Sequence, residues 1–184
     1  MRSIAFLITL LGAFALGAAA PARADEIEVA DARLAPTEEG VVLAADFAFD
    51  LNPRLAEVVT NGVPLYFVIE FELTRPRWYW FDEKPVQVAQ TYRISYTPLL
   101  RQYRLSVGNN YQNFTRFEEV TRVLSRLRGW HVADRGALKK DGAYQASLRM
   151  RLDTGQLPKP IQMNAIASRD WTLDSDWYRW AINR

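Results

Sequence analysis

Four segments of this chain alternate apolar and polar side chains at every second position. On one face of segment 65–74, Leu65, Phe67 and Ile69 stand in a row, and Glu70 and Glu72 belong to the other face. The same pattern recurs in segments 41–51, 86–96 and 143–152. A period of two residues places one face of a strand on a core and the other in solvent. We therefore predict antiparallel sheets that are covered on one side.

Weaker strand signals surround these four segments. They fall at 26–34, 101–107, 130–134 and 171–182. Short connections join the segments, and the turn residues Gly40 and Gly142 precede two of them. We predict a mostly β (β-rich α+β) fold, an immunoglobulin-like antiparallel β-sandwich of about eight strands.

Two short helices are predicted between the strands. The first runs from Pro53 to about Thr60, with proline at its first position. The second starts at Thr115, which forms a capping box with Glu118, and ends before Gly129. Its apolar stripe consists of Phe117, Val120, Leu124 and Leu127.

The first 24 residues are typical of an export signal. Arg2 gives a positive start, residues 4–16 are apolar and uncharged, and Ala22-Arg23-Ala24 resembles a signal-peptidase site before Asp25. The apolar stretch is shorter than the roughly 20 residues that span a bilayer as a helix, although a retained anchor is the alternative interpretation. We expect a cleaved signal peptide at 1–24 and a single domain over 25–184, located in the periplasm with no membrane span after cleavage.

Charge and composition exclude several classes of function. The 23 Lys and Arg residues fall to 21 when Arg2 and Arg23 leave with the signal, which equals the 21 Asp and Glu residues. A neutral domain gives no electrostatic support for nucleic-acid binding. The chain has no cysteine, which excludes disulfides, thiolate metal sites and cysteine nucleophiles.

Residue sets for common chemistry are missing from the sequence. His131 is the single histidine, so a histidine-pair metal site cannot form. A Ser-His-Asp triad would need His131 and a serine nucleophile, but no G-x-S-x-G elbow is present. Neither G-x-G-x-x-G nor a P-loop occurs. We predict no catalytic residues, no metal and no cofactor.

Two clusters combine tryptophan with carboxylates. One lies around Asp82, and the other surrounds Asp176 near the C-terminus. Indole rings stack on sugar rings while carboxylates hold the hydroxyls, and a pair of carboxylates can also cleave a glycosidic bond. The alternative is that these tryptophans fill a core. The candidate binding residues are Trp78, Trp80, Asp82, Asp176, Trp177 and Trp180.

Arginines are predicted on the polar faces of two strands. Arg149 and Arg151 lie in the segment 143–152, and Arg93 lies in the segment 86–96. Cross-strand ion pairs with Glu70 and Glu72 are one interpretation. An anion-binding site is the other, since arginine makes forked contacts to carboxylates and phosphates.

Several longer strings resemble an exported proteobacterial family known as domain of unknown function 4390. They cover nearly the whole mature chain: Arg77–Lys84, Thr91–Tyr96, Arg101–Ser106, Gln156–Pro160, Asn164-Ala165 and Ser175–Trp180. The resemblance implies an exported, cysteine-free domain without an assigned activity, and it brings no catalytic residues. Members are often encoded beside a membrane sensor histidine kinase, so the resemblance implies an envelope membrane protein of that kind as a partner.

These observations predict a periplasmic, non-catalytic interaction domain that is accessory to an envelope sensor histidine kinase. Two alternatives stay open. One is a glycan-binding or glycan-cleaving envelope protein that uses the aromatic and acidic clusters. The other is a structural module that self-associates through the edge strands of its sheets.

Overall fold

The computed structural model of the protein describes residues 27–51, 53–75, 83–138, 142–167 and 171–183. Within these ranges the chain forms nine strands and three α-helices. The strands are β1 (Glu28–Pro36), β2 (Gly40–Ala48), β3 (Leu65–Arg75), β4 (Glu83–Thr97), β5 (Gln102–Val107), β6 (Asn110–Phe114), β7 (Arg126–Asp134), β8 (Ala143–Leu152) and β9 (Tyr178–Asn183). The helices are α1 (Pro53–Thr60), α2 (Phe117–Leu124) and α3 (Lys159–Ala167). The predicted signal peptide at 1–24 lies outside the described residues.

The strands form two antiparallel sheets. One sheet has three strands in the order β1-β2-β7, and the other has six strands in the order β6-β5-β4-β3-β8-β9. Every pairing between neighbouring strands is antiparallel. The prediction of a mostly β fold with antiparallel sheets and some helices is confirmed, and the immunoglobulin-like arrangement stays a prediction. In the part of the chain that the structure describes, no helix is long and apolar enough to cross a membrane.

The core lies where the apolar faces of the two sheets and the helices meet. Phe67 and Phe71 of β3 are fully buried, as is Leu43 of β2. Leu55 of α1 and Val120 of α2 belong to the same hydrophobic cluster. Each of these larger side chains contributes about 1.5–3 kcal/mol by leaving water. The alternation in the sequence is therefore realised, because one face of each central strand is removed from solvent.

The second helix is shorter than predicted. It ends at Leu124, and β7 begins at Arg126. Leu127, which was expected in the helical stripe, is instead buried as a residue of β7. Leucines spaced by three residues fit a helix face, but Leu127 fits the core equally well from a strand. The prediction of a helix up to Gly129 is therefore wrong.

Gly129 lies at a β-bulge of β7 and does not end a helix. Its φ is 65°, and the pairing of β2 with β7 shifts register between Leu43 and Ala45. One extra residue of β7 is accommodated there, and glycine adopts the required left-handed conformation without a steric cost. The guanidinium of Arg128 donates to the carbonyl oxygen of Ala45 at 2.8 Å.

The start of α2 also differs from the prediction. Glu119, not Glu118, closes the first turn: its carboxylate accepts from the backbone N–H of Arg116 and from the hydroxyl of Thr115, each at 3.4 Å. Because Arg116 is the N-cap, the third helical position falls one residue later than expected.

Two elements, β6 and α3, were not predicted. The sequence of β6, NYQNF, lacks alternation, and four of its five residues are exposed. Helix α3 has no clear apolar stripe, although Ala165 is buried. The predicted strand at 171–182 is a strand only from Tyr178, preceded by an isolated bridge between Asp174 and Arg151.

Candidate functional site

The predicted binding residues divide into two groups. Trp78, Trp80 and Asp82 lie outside the described residues. Asp176 and Trp177 lie in the segment that leads into β9, and Trp180 lies within β9.

Trp180 faces the core. It pairs in register with Ala146, which is fully buried, and its ring centroid lies 6.2 Å from that of Phe71. The ring centroid of Tyr178 lies 5.6 Å from that of Trp180. Trp180 is therefore partly buried against the core, and its role in binding stays a prediction.

Backbone hydrogen bonds and the side chain of Ser175 hold the segment before β9 to β8, where the N–H of Leu152 also donates to the carbonyl oxygen of Leu173 at 2.7 Å. The backbone N–H of Ser175 donates to the carbonyl oxygen of Met150 at 2.8 Å, and its hydroxyl accepts from the N–H of Met150 at 3.0 Å. Ser175 is buried, so both bonds are protected from water. This anchor fixes the positions of the two residues that follow, Asp176 and Trp177.

Asp176 and Trp177 border a cleft of about 420 Å³. Its lining residues are Ile27, Glu28, Val29, Ala48, Ser175, Asp176, Trp177 and Tyr178. Two acidic residues, Glu28 and Asp176, therefore line one cleft together with Trp177 and Tyr178. Sequence reasoning missed Glu28, because only the tertiary fold brings the start of β1 beside the segment that precedes β9.

Trp177 also borders a second depression, on the outer face of the six-stranded sheet. The guanidinium carbon of Arg149 lies 4.5 Å from the centroid of its indole ring, which is a cation–π contact. The depression measures about 180 Å³ and includes Glu70, Glu72 and Arg149 in its lining. Trp177 is half-buried, so part of the ring remains open to solvent.

Arg149 is held in turn by Glu70. The two residues pair in register between β3 and β8, and Nε of Arg149 donates to the Glu70 carboxylate. Arg151 donates to the other carboxylate oxygen at 3.2 and 3.3 Å. We call the set Glu70, Arg149, Arg151 and Trp177 the Trp177 face.

The expected cross-strand ion pairs are thus confirmed for Glu70. Glu72 differs, because it accepts from Lys84 at 2.8 Å and from Gln87 at 3.0 Å instead of from an arginine. Such partly exposed pairs contribute about 0.2–1 kcal/mol each, so their main effect is to orient side chains.

The Trp177 face has the character of a binding surface. Both oxygens of Glu70 accept hydrogen bonds from guanidinium groups, so this carboxylate positions Arg149 and Arg151. Within the described ranges, no group of three or more His, Asp or Glu side chains could hold a metal ion. His131 is partly exposed, with Nε2 at 3.7 Å from the Asp134 carboxylate.

The family comparison agrees with the resemblance noted in the sequence. Residues 24–181 match a family model described as "Domain of unknown function (DUF4390)". Neither a curated protein nor a solved structure matches the chain. Because the family model spans nearly the whole chain, the protein belongs to the DUF4390 family.

Proposed function

We propose that this chain is a non-catalytic interaction domain that binds a partner protein through the Trp177 face. The observation that carries the proposal is the stacking of Arg149 on the half-buried ring of Trp177. Tryptophan and arginine dominate the binding energy of protein interfaces. Because Glu70 holds Arg149 in place, the pair is ordered before a partner arrives, which lowers the entropic cost of binding.

The proposal includes a place and a partner class. A periplasmic location is supported by the charge, apolar stretch and small residues of positions 1–24, which are typical of a cleaved export signal. An envelope sensor histidine kinase as the partner rests on the family resemblance alone. The proposed role is that of an accessory domain to such a sensor.

Crosslinking of the tagged protein in its native host tests this proposal. We expect the wild-type chain to recover one membrane protein with an exported sensory domain. Trp177→Ala should lower that recovery at least tenfold, because hot-spot side chains commonly contribute 2 kcal/mol or more. Val123→Ala on α2 is the control, since it also shortens an exposed apolar side chain but lies outside the Trp177 face. Full recovery with Trp177→Ala would reject the Trp177 face as the binding surface.

One observation favours a second candidate, a glycan-binding or glycan-cleaving protein. The cleft beside β1 is lined by the acidic residues Glu28 and Asp176 and by the aromatic residues Trp177 and Tyr178. We expect a bound sugar to quench tryptophan fluorescence in a saturable manner if this candidate is correct. Asp176→Asn should then abolish the quenching by peptidoglycan fragments. Release of sugar products that is lost in both Glu28→Gln and Asp176→Asn would identify cleavage and overturn the non-catalytic proposal.

A further inference from the structure

The six-stranded sheet ends in an unprotected edge strand, β6. It is the last strand in the order β6-β5-β4-β3-β8-β9, and its residues from Asn110 to Asn113 are exposed. Alternate residues of an edge strand direct N–H and C=O groups away from the sheet. Proteins usually protect such edges with charged residues or proline, and β6 contains neither. Among the residues that the structure describes, no strand pairs with the outer edge of β6, so this edge can accept another strand.

Two arginines lie on the outer face of this sheet: Arg104 on β5, next to β6, and Arg93 one strand further from the edge, on β4. Tyr66, Arg93, Ser106 and Tyr111 are register partners across β3, β4, β5 and β6, so they form one row. Arg104 belongs to the neighbouring row, diagonal to Arg93. Diagonal side chains on adjacent strands are close enough for long side chains to meet.

Each of these arginines contacts a tyrosine ring. The guanidinium carbon of Arg104 lies 4.5 Å from the Tyr111 ring centroid, and that of Arg93 lies 6.0 Å from the Tyr66 centroid. Nε of Arg104 also donates to the side-chain oxygen of Asn113 at 3.1 Å. These contacts orient the guanidinium groups without neutralising their charge.

No carboxylate of the described residues forms an ion pair with Arg93 or Arg104, in contrast to Arg149 and Arg151 with Glu70. An anionic partner would supply the opposite charge. The exposed ring of Tyr111 adds apolar contact area on the same face.

We propose that β6, with Arg104 on the adjacent strand β5 and Arg93 on β4, is a docking site for an extended acidic segment of a partner protein. The segment adds to the sheet as a strand next to β6, held by main-chain hydrogen bonds. Strands lie about 4.8 Å apart, so the added strand would be roughly 10 Å from β5, a distance that a glutamate and Arg104 can bridge together. Every second side chain of the added segment then lies on the outer face of the sheet, the face that carries Arg93 and Arg104.

Charge complementarity selects this occupant over a second copy of the chain. Pairing of β6 with β6 of another copy would bring no carboxylate toward Arg104, because β6 itself carries no charge. An acidic strand makes the same main-chain hydrogen bonds and adds electrostatic attraction. This inference goes beyond the proposed function, because β6 is the edge opposite to β9 and does not involve the Trp177 face.

Binding of a short fluorescent peptide of alternating glutamate and valine to the full chain tests the proposal. We expect saturable anisotropy at low salt, weakened at least tenfold in the double variant Arg93→Gln, Arg104→Gln. The matched control is Arg122→Gln, Arg135→Gln, which removes the same charge from exposed arginines elsewhere. If the double variant proves misfolded by circular dichroism, Arg104→Gln alone is measured against Arg122→Gln. Equal binding by the charge-deleted and control variants would overturn the proposal.

Three further measurements separate the remaining explanations. A peptide with the same charge but N-methylated alternate amides should not bind, because it cannot pair with β6; undiminished binding would reject strand addition. Trp177→Ala should bind the peptide as wild type does, so failure of the Trp177 face and failure of this site are distinguishable. Concentration-dependent dimerisation that persists in the double variant would identify a second copy as the occupant and reject the acidic segment.

Discussion

Gly40 and Gly129 are required for different physical reasons. A Cβ atom at Gly40 would lie 2.1 Å from the carbonyl oxygen of Ala133, so the neighbouring strand excludes any side chain. A Cβ atom at Gly129 would meet nothing within 4 Å, but the residue has a φ of 65°. Space limits the first position, and backbone conformation limits the second.

Alanine substitution separates these two effects. Gly129→Ala should lower the free energy of unfolding by about 1 kcal/mol, the cost of a left-handed residue with a side chain. Gly40→Ala should cost about 3 kcal/mol or more, because the backbone of β7 must move away. Urea unfolding of both variants measures the difference. Equal losses would contradict the separation of the two mechanisms.

Tyr92 gives the protein a sensitivity to alkaline pH. Burial raises the pKa of its phenol, and the hydrogen bond that Gln90 donates at 2.8 Å offsets this only in part. A raised pKa in the folded state means that the neutral phenol contributes stability in full below the unfolded pKa of 10.0. That contribution is lost as pH rises through the folded pKa.

We therefore expect the free energy of unfolding to fall above about pH 10. Tyr92→Phe should remove that part of the pH dependence, measured as urea midpoints on the two sides of this pH. Tyr111→Phe is the control, because its ring is largely exposed. An unchanged alkaline slope in Tyr92→Phe would assign the effect to another group.

At the scale of elements, the first turn of α2 depends on Glu119. Desolvation is the largest single influence on this carboxyl, and it acts to raise the pKa. The hydrogen bonds and the charge of Arg116, together with a hydrogen bond from Thr115, act in the opposite direction. Their sum is larger, so the pKa of Glu119 is lowered. A lowered pKa in the folded state means that the stabilisation is present above the unfolded pKa and is lost as pH falls through the folded one.

Glu119→Gln should therefore weaken α2 at neutral pH and remove this acid-dependent step. The matched control is Glu118→Gln, one position earlier and exposed. Amide exchange in the first turn of α2, followed as pH is lowered, measures both. A larger effect of Glu118→Gln than of Glu119→Gln would contradict this assignment and support the capping box between Thr115 and Glu118 that the sequence predicts.

Sequence patterns predict those elements whose two faces differ. Strand β3 is predictable because Phe67 and Phe71 must leave water while Glu70 remains at the surface. Strand β6 has no such difference, since it is exposed on both faces, and only pairing with β5 makes it a strand.

The candidate site was predictable in part for the same reason. Asp176 and Trp177 are neighbours in the sequence, so their cluster is visible there. The contacts of Trp177 with Arg149 and the place of Glu28 in the adjacent cleft depend on strand order, which local patterns do not contain.

At the scale of the whole molecule, the two sheets share one hydrophobic cluster. Leu43 in the three-stranded sheet and Leu148 in the six-stranded sheet are both fully buried within it. Removal of either sheet would expose part of the apolar face of the other. The two sheets should therefore unfold together.

Leu43→Ala and Leu148→Ala test this coupling. Each should lower the free energy of unfolding by about 2–5 kcal/mol, the usual cost of a cavity in a well-packed core. Each variant should still show one transition, with circular dichroism and tryptophan fluorescence changing at the same urea concentration. Separate transitions in either variant would show that the sheets are independent units.

The pairing of β2 with β7 sets the timing of folding. Arg128 of β7 bonds to Ala45 of β2 across 83 positions of the chain. During synthesis the N-terminal part of the chain emerges first. We therefore expect the antiparallel pair of β1 and β2 to form well before β7 is available, with Leu43 uncovered and one edge of β2 unpaired. Long-range pairing of this kind slows folding and leaves apolar surface exposed to other chains. A holding chaperone that binds the first third of the chain should raise the yield of folded protein more than one that acts on the completed chain.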